Sequence, residues 1–390
     1  MNISIYLVEN MYPRKLNLPT LLEKKSFFLF GARATGKTTL IQETLSKAFV
    51  VDLLDSRTYS TLVKDPAMLG DLVRGRSEII VIDEIQKLPN LLDEVHRIIQ
   101  RDKKTFLLTG SSARKLKHGG ANLLAGRARE AKLFPLCSDE VPAFKLIDFL
   151  NRGGIPEIYD SKEPDEDLEA YVDTYLREEI KAEAVTRNVG AFAEFLDIIG
   201  RINGQELNYE GFASDLQVST STFKNYIQIL EDTLIGFRLP GFIESKKRKA
   251  TSRSKHYLFD LGVARHLAGN GEIKERSKLF GDALEHFIIL EVRAYLSYTR
   301  SKHKMTYWRS TSQFEVDLLI GRDIAIEIKA TDQPKSKHLK GLRALKEEGI
   351  FKKLICIHCG SNKSITVDGI ELLPYNHFLR KLWKNEMTAL

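Results

Sequence analysis

Apolar positions follow two rhythms along this chain. In roughly the first third, short apolar runs alternate with amphipathic stretches. Ser26–Gly31 (SFFLFG), Phe49–Leu54 (FVVDLL), Glu78–Asp83 (EIIVID) and Thr105–Gly110 (TFLLTG) predict strands, with Lys132–Pro135 as a fifth. Runs that are apolar throughout belong to strands covered on both faces. The stretches between them, such as Leu91–Gln100, carry helical periodicity. Strand and helix in alternation predict a parallel α/β sheet. From about Leu146 to Phe237 the pattern becomes helical, with helices expected over Tyr171–Ala184, Val189–Ile202 and Thr220–Asp232. The last part mixes both rhythms: a helix over Gly281–Thr299, then strands over Met305–Arg309, Phe314–Ile320, Asp323–Lys329 and Lys352–His358. The expected division is 1–145 for the α/β core, 146–200 for a helical lid or linker, 201–265 for a winged helix with a basic wing, and 266–390 for a C-terminal α/β domain.

Length agrees with that division, since 390 residues suit two or three domains. The 59 Lys+Arg exceed the 52 Asp+Glu, for a net charge of +7. This excess permits a nucleic-acid partner without establishing one. No apolar run reaches the ~18 residues that span a bilayer, so no membrane association is expected. The first ten residues lack a basic leader and cleavage site, and Cys137, Cys356 and Cys359 are too few for a disulfide framework. A reducing cytoplasm is the expected location. Cys356 and Cys359 have C-x-x-C spacing but no second pair, which predicts packing rather than zinc.

The chemistry is clearest at Gly31-Ala32-Arg33-Ala34-Thr35-Gly36-Lys37-Thr38, a full G-x-x-x-x-G-K-[ST] loop between a strand and a helix. Its glycines let backbone N–H groups of Gly31, Ala34, Thr35, Gly36, Lys37, Thr38 and Thr39 wrap phosphates closely. Lys37 would reach the β- and γ-phosphates of ATP, and the Thr38 hydroxyl would sit on Mg²⁺. The apolar strand Ile79–Asp83 ends in Asp83-Glu84; Asp83 would help hold Mg²⁺ and Glu84 would polarise the attacking water. Thr109 and Ser111, after the next strand, are candidates to sense the γ-phosphate. Arg127, in Gly126-Arg127-Ala128-Arg129, is placed to act as a finger on a neighbouring subunit's ATP.

Tyr209–Phe242 has a winged-helix cadence: a short helix (Phe212–Leu216), a turn, and a second helix over Thr220–Glu231 capped by Ser219. Such a second helix enters a DNA major groove, with Ser221, Thr222, Lys224, Asn225 and Gln228 as its polar face. The run Lys246-Lys247-Arg248-Lys249, followed by Arg253 and Lys255, lies where a wing would be and suits a phosphate backbone.

Further on, Glu285 opens a helix, Glu315-Val316-Asp317 lies in a strand, and Ile326-Glu327-Ile328-Lys329 ends another. This is the order of a PD-(D/E)xK nuclease core. Asp317 and Glu327 would hold Mg²⁺ or Mn²⁺, Glu285 would add an outer contact, and Lys329 would position the attacking water.

Taken together, GARATGKTT, VIDEIQKLPN, LLTGSSARKL and LLAGRARE resemble the prokaryotic AAA+-type ATPases (AAA_14-like) that carry a C-terminal DUF4143 region. The resemblance covers about Leu16 to Leu382. It implies an ATPase core, a helical region with a winged helix, and a restriction-endonuclease-like domain. The expected function is ATP-hydrolysing DNA processing by an oligomeric translocase or remodeller of duplex or branched DNA, in recombination or repair. A regulatory switch ATPase without motor activity and an ATP-dependent nuclease are the alternatives.

Overall fold

In the computed structural model the described residues are 12–112, 114, 116, 126–176, 189–361 and 364–387. The apolar runs of the first part pair side by side as β1 (Ser26–Phe30), β2 (Phe49–Asp52), β3 (Ile79–Asp83), β4 (Thr105–Gly110) and β5 (Ala128–Lys132), in the order β2-β3-β4-β1-β5. Every pairing is parallel. Because side chains alternate along a strand, Phe28, Phe30, Ile80, Ile82, Phe106 and Leu108 fill one face, while Phe27, Leu29, Val81 and Leu107 fill the other. Helix α1 (Lys37–Thr44) covers the second face with Leu40 and Ile41; α2 (Leu91–Asp102) covers the first with Leu91, Val95 and Ile98. The fifth strand lies four residues earlier than expected. It is an edge strand with partly exposed polar side chains, so it lacks an apolar run; the apolar residues after it, Leu133 and Leu136, are buried outside the sheet.

Val189–Arg201 (α3), Tyr209–Asp215 (α4) and Thr220–Asp232 (α5) form the helical middle. Phe192, Phe195, Phe223 and Tyr226 make its aromatic centre, with the Phe192 and Tyr226 rings edge-on at 4.8 Å. Ser219 caps α5 by accepting from Thr222 N–H at 3.1 Å, as its position before the helix predicted. The helix expected over Tyr171–Ala184 is helical as far as Leu176, and its remainder lies outside the described residues. After α5 the chain makes the antiparallel pair β6 (Gly236–Leu239) and β7 (Lys255–Leu258).

The last part forms a second sheet from β8 (Met305–Arg309), β9 (Glu315–Ile320), β10 (Ile324–Lys329), β11 (Lys353–His358), β12 (Ile365–Val367) and β13 (Ile370–Pro374), in the order β12-β13-β11-β10-β9-β8. β8, β9 and β10 are antiparallel neighbours, whereas β11 runs parallel to β10. Helix α6 (Lys278–Tyr298) packs on one face through Leu284, Phe287, Ile288 and Val292, and α7 (Lys340–Lys346) packs on the other through Leu342 and Leu345. β12, β13 and the closing helix α8 (Tyr375–Trp383) carried no distinctive sequence signal. Cys356 is fully buried in the α7 core and burial pushes its thiol up to about 12, in line with packing rather than metal chemistry.

Glu291 of α6 ties the two sheets together. Ser138, from the segment after β5, donates to it through N at 2.7 Å and Oγ at 2.8 Å, and Trp383 Nε1 of α8 donates at 2.6 Å. Burial outweighs these donors and pushes the carboxyl up to about 7. With the folded pKa above the unfolded one, the native state binds more protons, so this group's stabilisation is present in acid and is lost as pH rises through about 7. Melting temperatures across pH 5 to 8 should therefore fall less steeply for Glu291→Gln than for the parent chain; parallel curves would remove Glu291 as the cause.

Candidate functional site

All five strands of the first sheet point the same way, so the segments leaving β1, β3 and β4 emerge on one edge. Ligands of open parallel sheets bind at such carboxyl ends. The loop from Gly31 to Gly36 needs unusual backbone: Gly36 has φ +87° and Ala34 φ +60°. At Gly31 a Cβ would meet Leu133 O at 2.6 Å, so only glycine fits beneath the loop. Thr35 is buried and its hydroxyl donates to Ala32 O at 2.8 Å; its side chain shapes the loop rather than facing a ligand. Lys37 Nζ donates to Gly31 O at 2.8 Å and Ala32 O at 3.2 Å, across the mouth of the loop. Thr38 and Thr39 are exposed in the first turn of α1. They line a cleft of about 380 Å³ together with Ala34, Gly36, Lys37, Asp83, Glu84 and Ser111.

β4 lies between β1 and β3, and its end organises the two carboxylates. Thr109 is fully buried; its hydroxyl donates to Asp83 Oδ1 and accepts from Glu84 N–H at 3.1 Å. Of the two expected sensing residues, then, Thr109 is engaged in positioning Asp83 and Glu84, and Ser111 faces the cleft. Glu84 sits at φ +60°, a left-handed conformation that non-glycine residues rarely adopt. Gln86 holds its carboxylate, donating from Nε2 to Glu84 Oε2 and, at 3.3 Å, to Ser111 Oγ.

Arg14 carries no motif and was not anticipated. It donates to Thr35 O at 2.6 Å and to Phe134 O at 2.6 Å, and it pairs with buried Glu140 at 3.1 Å. Burial opposes its charge, but Glu140, Tyr298 and Cys137 together outweigh burial and hold the guanidinium above its ordinary pKa. Its partners lie 21, 120 and 126 positions away, so no local pattern could reveal them. Tyr12, Pro156 and Glu157 complete the cleft wall and were likewise missed.

Arg127 is not near this cleft. It precedes β5, whose Ala128 pairs with Ser26 at the start of β1. At about 3.3 Å per residue, the length of β1 puts it some 15–20 Å from the loop.

On α5, Ser221, Lys224, Asn225 and Gln228 are exposed, while Phe223, Tyr226, Ile227 and Leu230 face the core. The loop after β4 reaches this helix: Ser112 Oγ donates to Asp232 O at 3.2 Å, and Arg114 pairs with Asp232 Oδ2 at 3.2 Å. The basic run does not stand free as a wing. Its arm pairs with the edge of β8, through Phe242 N to Tyr307 O at 2.7 Å and Thr251 N to Arg309 O at 2.9 Å. Glu348 accepts from the backbone of Lys246 and Lys247, both at 2.7 Å, and Arg248 donates to Glu347 at 2.6 Å and Ala344 O at 2.9 Å. Arg248 thus anchors the arm, whereas the side chains of Lys246, Lys247 and Lys249 are exposed. Lys255 corrects the sequence reading outright: it is buried against acidic residues and no part of an outward basic face.

Glu285, Asp317, Glu327 and Lys329 do converge, but not as a coordination sphere. Lys329 Nζ lies 2.6 Å from Glu327 Oε1 and 3.5 Å from Asp317 Oδ2, and Asp317 Oδ2 also accepts from Ile328 N–H at 2.7 Å. Glu285 Oε1 accepts from Tyr257 at 2.6 Å and from Lys255 at 3.1 Å. Among the described residues no three His, Cys, Asp or Glu side chains gather to hold a metal. At the residues expected to hold a metal, Lys255 engages Glu285, Lys329 engages Asp317 and Glu327, and Glu327 Oε2 is buried without a partner.

Comparison with known proteins matches three successive segments of the chain. The AAA domain family AAA_14 matches residues 23–141, a domain of unknown function (DUF8612) matches 143–274, and another (DUF4143) matches 280–378. An uncharacterized protein of Mycobacterium tuberculosis is 25% identical over 375 residues, covering 93% of this chain and 82% of that protein. One of Haemophilus influenzae is 23% identical over 295 residues, covering 67% and 72%. Among solved structures, the Aeropyrum pernix ORC1 protein in complex with DNA aligns at TM-score 0.29 and 14% identity over 68% of this chain and 95% of that one. Domain III of the Thermotoga maritima replication initiation protein DnaA aligns at 0.24 and 14% over 53% and 84%. Both likenesses are too distant to add to what the strand order already says. The AAA domain match lies over the first sheet and its phosphate-binding loop, and the DUF4143 match lies over the second sheet, so the chain carries an AAA-type P-loop domain followed by a DUF4143 region.

Proposed function

We propose that this protein binds ATP with Mg²⁺ at the Gly31–Thr39 loop, hydrolyses it, and couples turnover to DNA held by the outer face of α5 and the lysines of the arm. The observation that carries the ATP reading is the placement of β4 between the loop strand and the carboxylate strand, which brings Lys37, Asp83, Glu84 and Ser111 to one cleft. Backbone N–H groups of the loop would cradle the phosphates, and Lys37 would leave its loop carbonyls for the β- and γ-phosphates. The hydroxyl of Thr38 and the carboxylate of Asp83 are hard oxygen donors suited to Mg²⁺, which would neutralise phosphate charge when bound. Glu84, released from Gln86, would orient water toward the γ-phosphate, while Ser111 reads whether that phosphate is present. Arg127 would act on the ATP of a neighbouring copy in a homo-oligomer.

DNA is supported by the exposed polar face of α5 and by Lys246, Lys247 and Lys249. The contacts of Ser112 and Arg114 with Asp232 offer a short physical route from the γ-phosphate end of β4 to that helix. ATP turnover should therefore rise when duplex or forked DNA is added, and Asp232→Ala should blunt that rise without changing turnover in its absence. Turnover indifferent to every DNA offered would sink the DNA-coupled reading. Replacing Lys246, Lys247 and Lys249 together by Ala should flatten the salt dependence of DNA binding by about 0.9 in log–log slope per lost phosphate contact. An unchanged slope would take the arm out of the interface.

A further inference from the structure

We propose that Lys255 is the built-in cation of the C-terminal acidic cluster and that it keeps a divalent metal out. Lys255 comes from β7, before the helix that carries Glu285 and outside every motif of the cluster. Its Nζ lies 3.1 Å from Glu285 Oε1 and 2.7 Å from Glu315 Oε1, and 5.2 Å from the centre of the Tyr307 ring. Tyr257 projects from the same face of β7, two residues on, and donates to the same oxygen of Glu285 at 2.6 Å. One strand thus closes the cluster with an ammonium and a hydroxyl.

The competition is steric and electrostatic. Mg²⁺ needs about six oxygens near 2.0–2.1 Å in an octahedral arrangement. Here Lys255 engages Glu285 and Glu315, while Lys329 engages Glu327 and Asp317. Among the carboxylate oxygens of this cluster, Glu327 Oε2 is buried without a partner. A divalent ion beside these carboxylates would lie against two ammonium groups. Lys255 cannot swing aside, since its side chain is 7% exposed and its backbone is paired in β7. Burial works against its charge, but Glu285, Asp317 and Glu315 outweigh burial and hold the ammonium protonated. The carboxylates that resemble a nuclease centre therefore serve an internal charge network that joins β7 to α6, β9 and β10. This inference stands apart from the ATP and DNA readings.

Binding of Mn²⁺ to the full-length, nucleotide-free protein, followed by electron paramagnetic resonance, tests it. The parent chain and Asp317→Asn should bind the same number of equivalents, because the cluster takes none. Lys255→Ala should gain one equivalent, lost again in Lys255→Ala/Asp317→Asn, and Mn²⁺ should raise the melting temperature of Lys255→Ala but not of the parent. An equivalent bound by the parent and missing in Asp317→Asn overturns the proposal, as does a folded Lys255→Ala that gains none. Should Lys255→Ala fail to fold, the parent compared with Asp317→Asn and with Glu327→Gln still decides.

Discussion

Lys37→Ala and Glu84→Gln should each cut ATP turnover severely, and for different reasons. Lys37 is the single loop side chain whose ammonium already lies at the mouth of the loop, on Gly31 O and Ala32 O. Its removal takes away the charge that would meet the β- and γ-phosphates, so nucleotide affinity and turnover should fall together. Glu84 has no place in the loop. Its backbone is pinned by Thr109 and its carboxylate by Gln86, at the rim of the cleft. Glu84→Gln keeps the shape and loses the basic oxygen, so ATP should bind about as before while the chemical step slows by about 10²–10⁴-fold, the usual range for a general base. Equilibrium binding of a fluorescent ATP analogue, beside single-turnover phosphate release, separates the two. Parent rates in Glu84→Gln would remove it from catalysis, and tight binding in Lys37→Ala would do the same for the loop assignment.

Arg14→Ala should strongly destabilise the packing beside the first sheet. Arg14 and Glu140 are paired in the interior, with side-chain exposures of 5% and 0%. Breaking a buried pair by removing one partner costs about 3–5 kcal/mol, because the other charge is left uncompensated. Glu140 retains Lys15 N–H at 2.6 Å and Cys137 N–H at 2.9 Å, which places the expectation near the lower end. The same change frees Thr35 O and Phe134 O, so the phosphate loop loses its brace and ATP affinity should fall as well. Arg14→Met/Glu140→Gln should recover much of the stability but not the affinity, since it removes the stranded charge without restoring the brace. Denaturant unfolding and nucleotide binding of the three variants measure this; a single variant as stable as the parent would show that the pair contributes little.

Much of the nucleotide cleft was legible because its chemistry is local. A glycine-rich loop between strand and helix needs eight consecutive residues, and Asp83-Glu84 needs one apolar strand before it. The polar face of α5 was legible for the same reason, since helical periodicity separates Lys224 and Asn225 from Phe223 and Tyr226. What could not be read was who meets whom. Thr109 looked like a phosphate sensor until β4 brought it against Asp83. Lys255 looked like part of a basic surface until β7 turned it inward, and the arm around Arg248 looked free until it paired with β8.

By itself, then, the sequence determined the apolar strands of the first sheet, the helices from α3 to α6, the loop and the order of the acidic residues, all set by periodicity and backbone chemistry within a few turns of chain. Tertiary structure alone decided that Arg14 braces the loop from over a hundred residues before Phe134 and Glu140, that Arg127 lies at the far end of its own sheet, and that Lys255 fills the acidic cluster. The physical reason is the same in each case. The charge of a lysine or arginine is written in the chain, but its partner is chosen by packing, and in a buried site the partner determines what that charge can do.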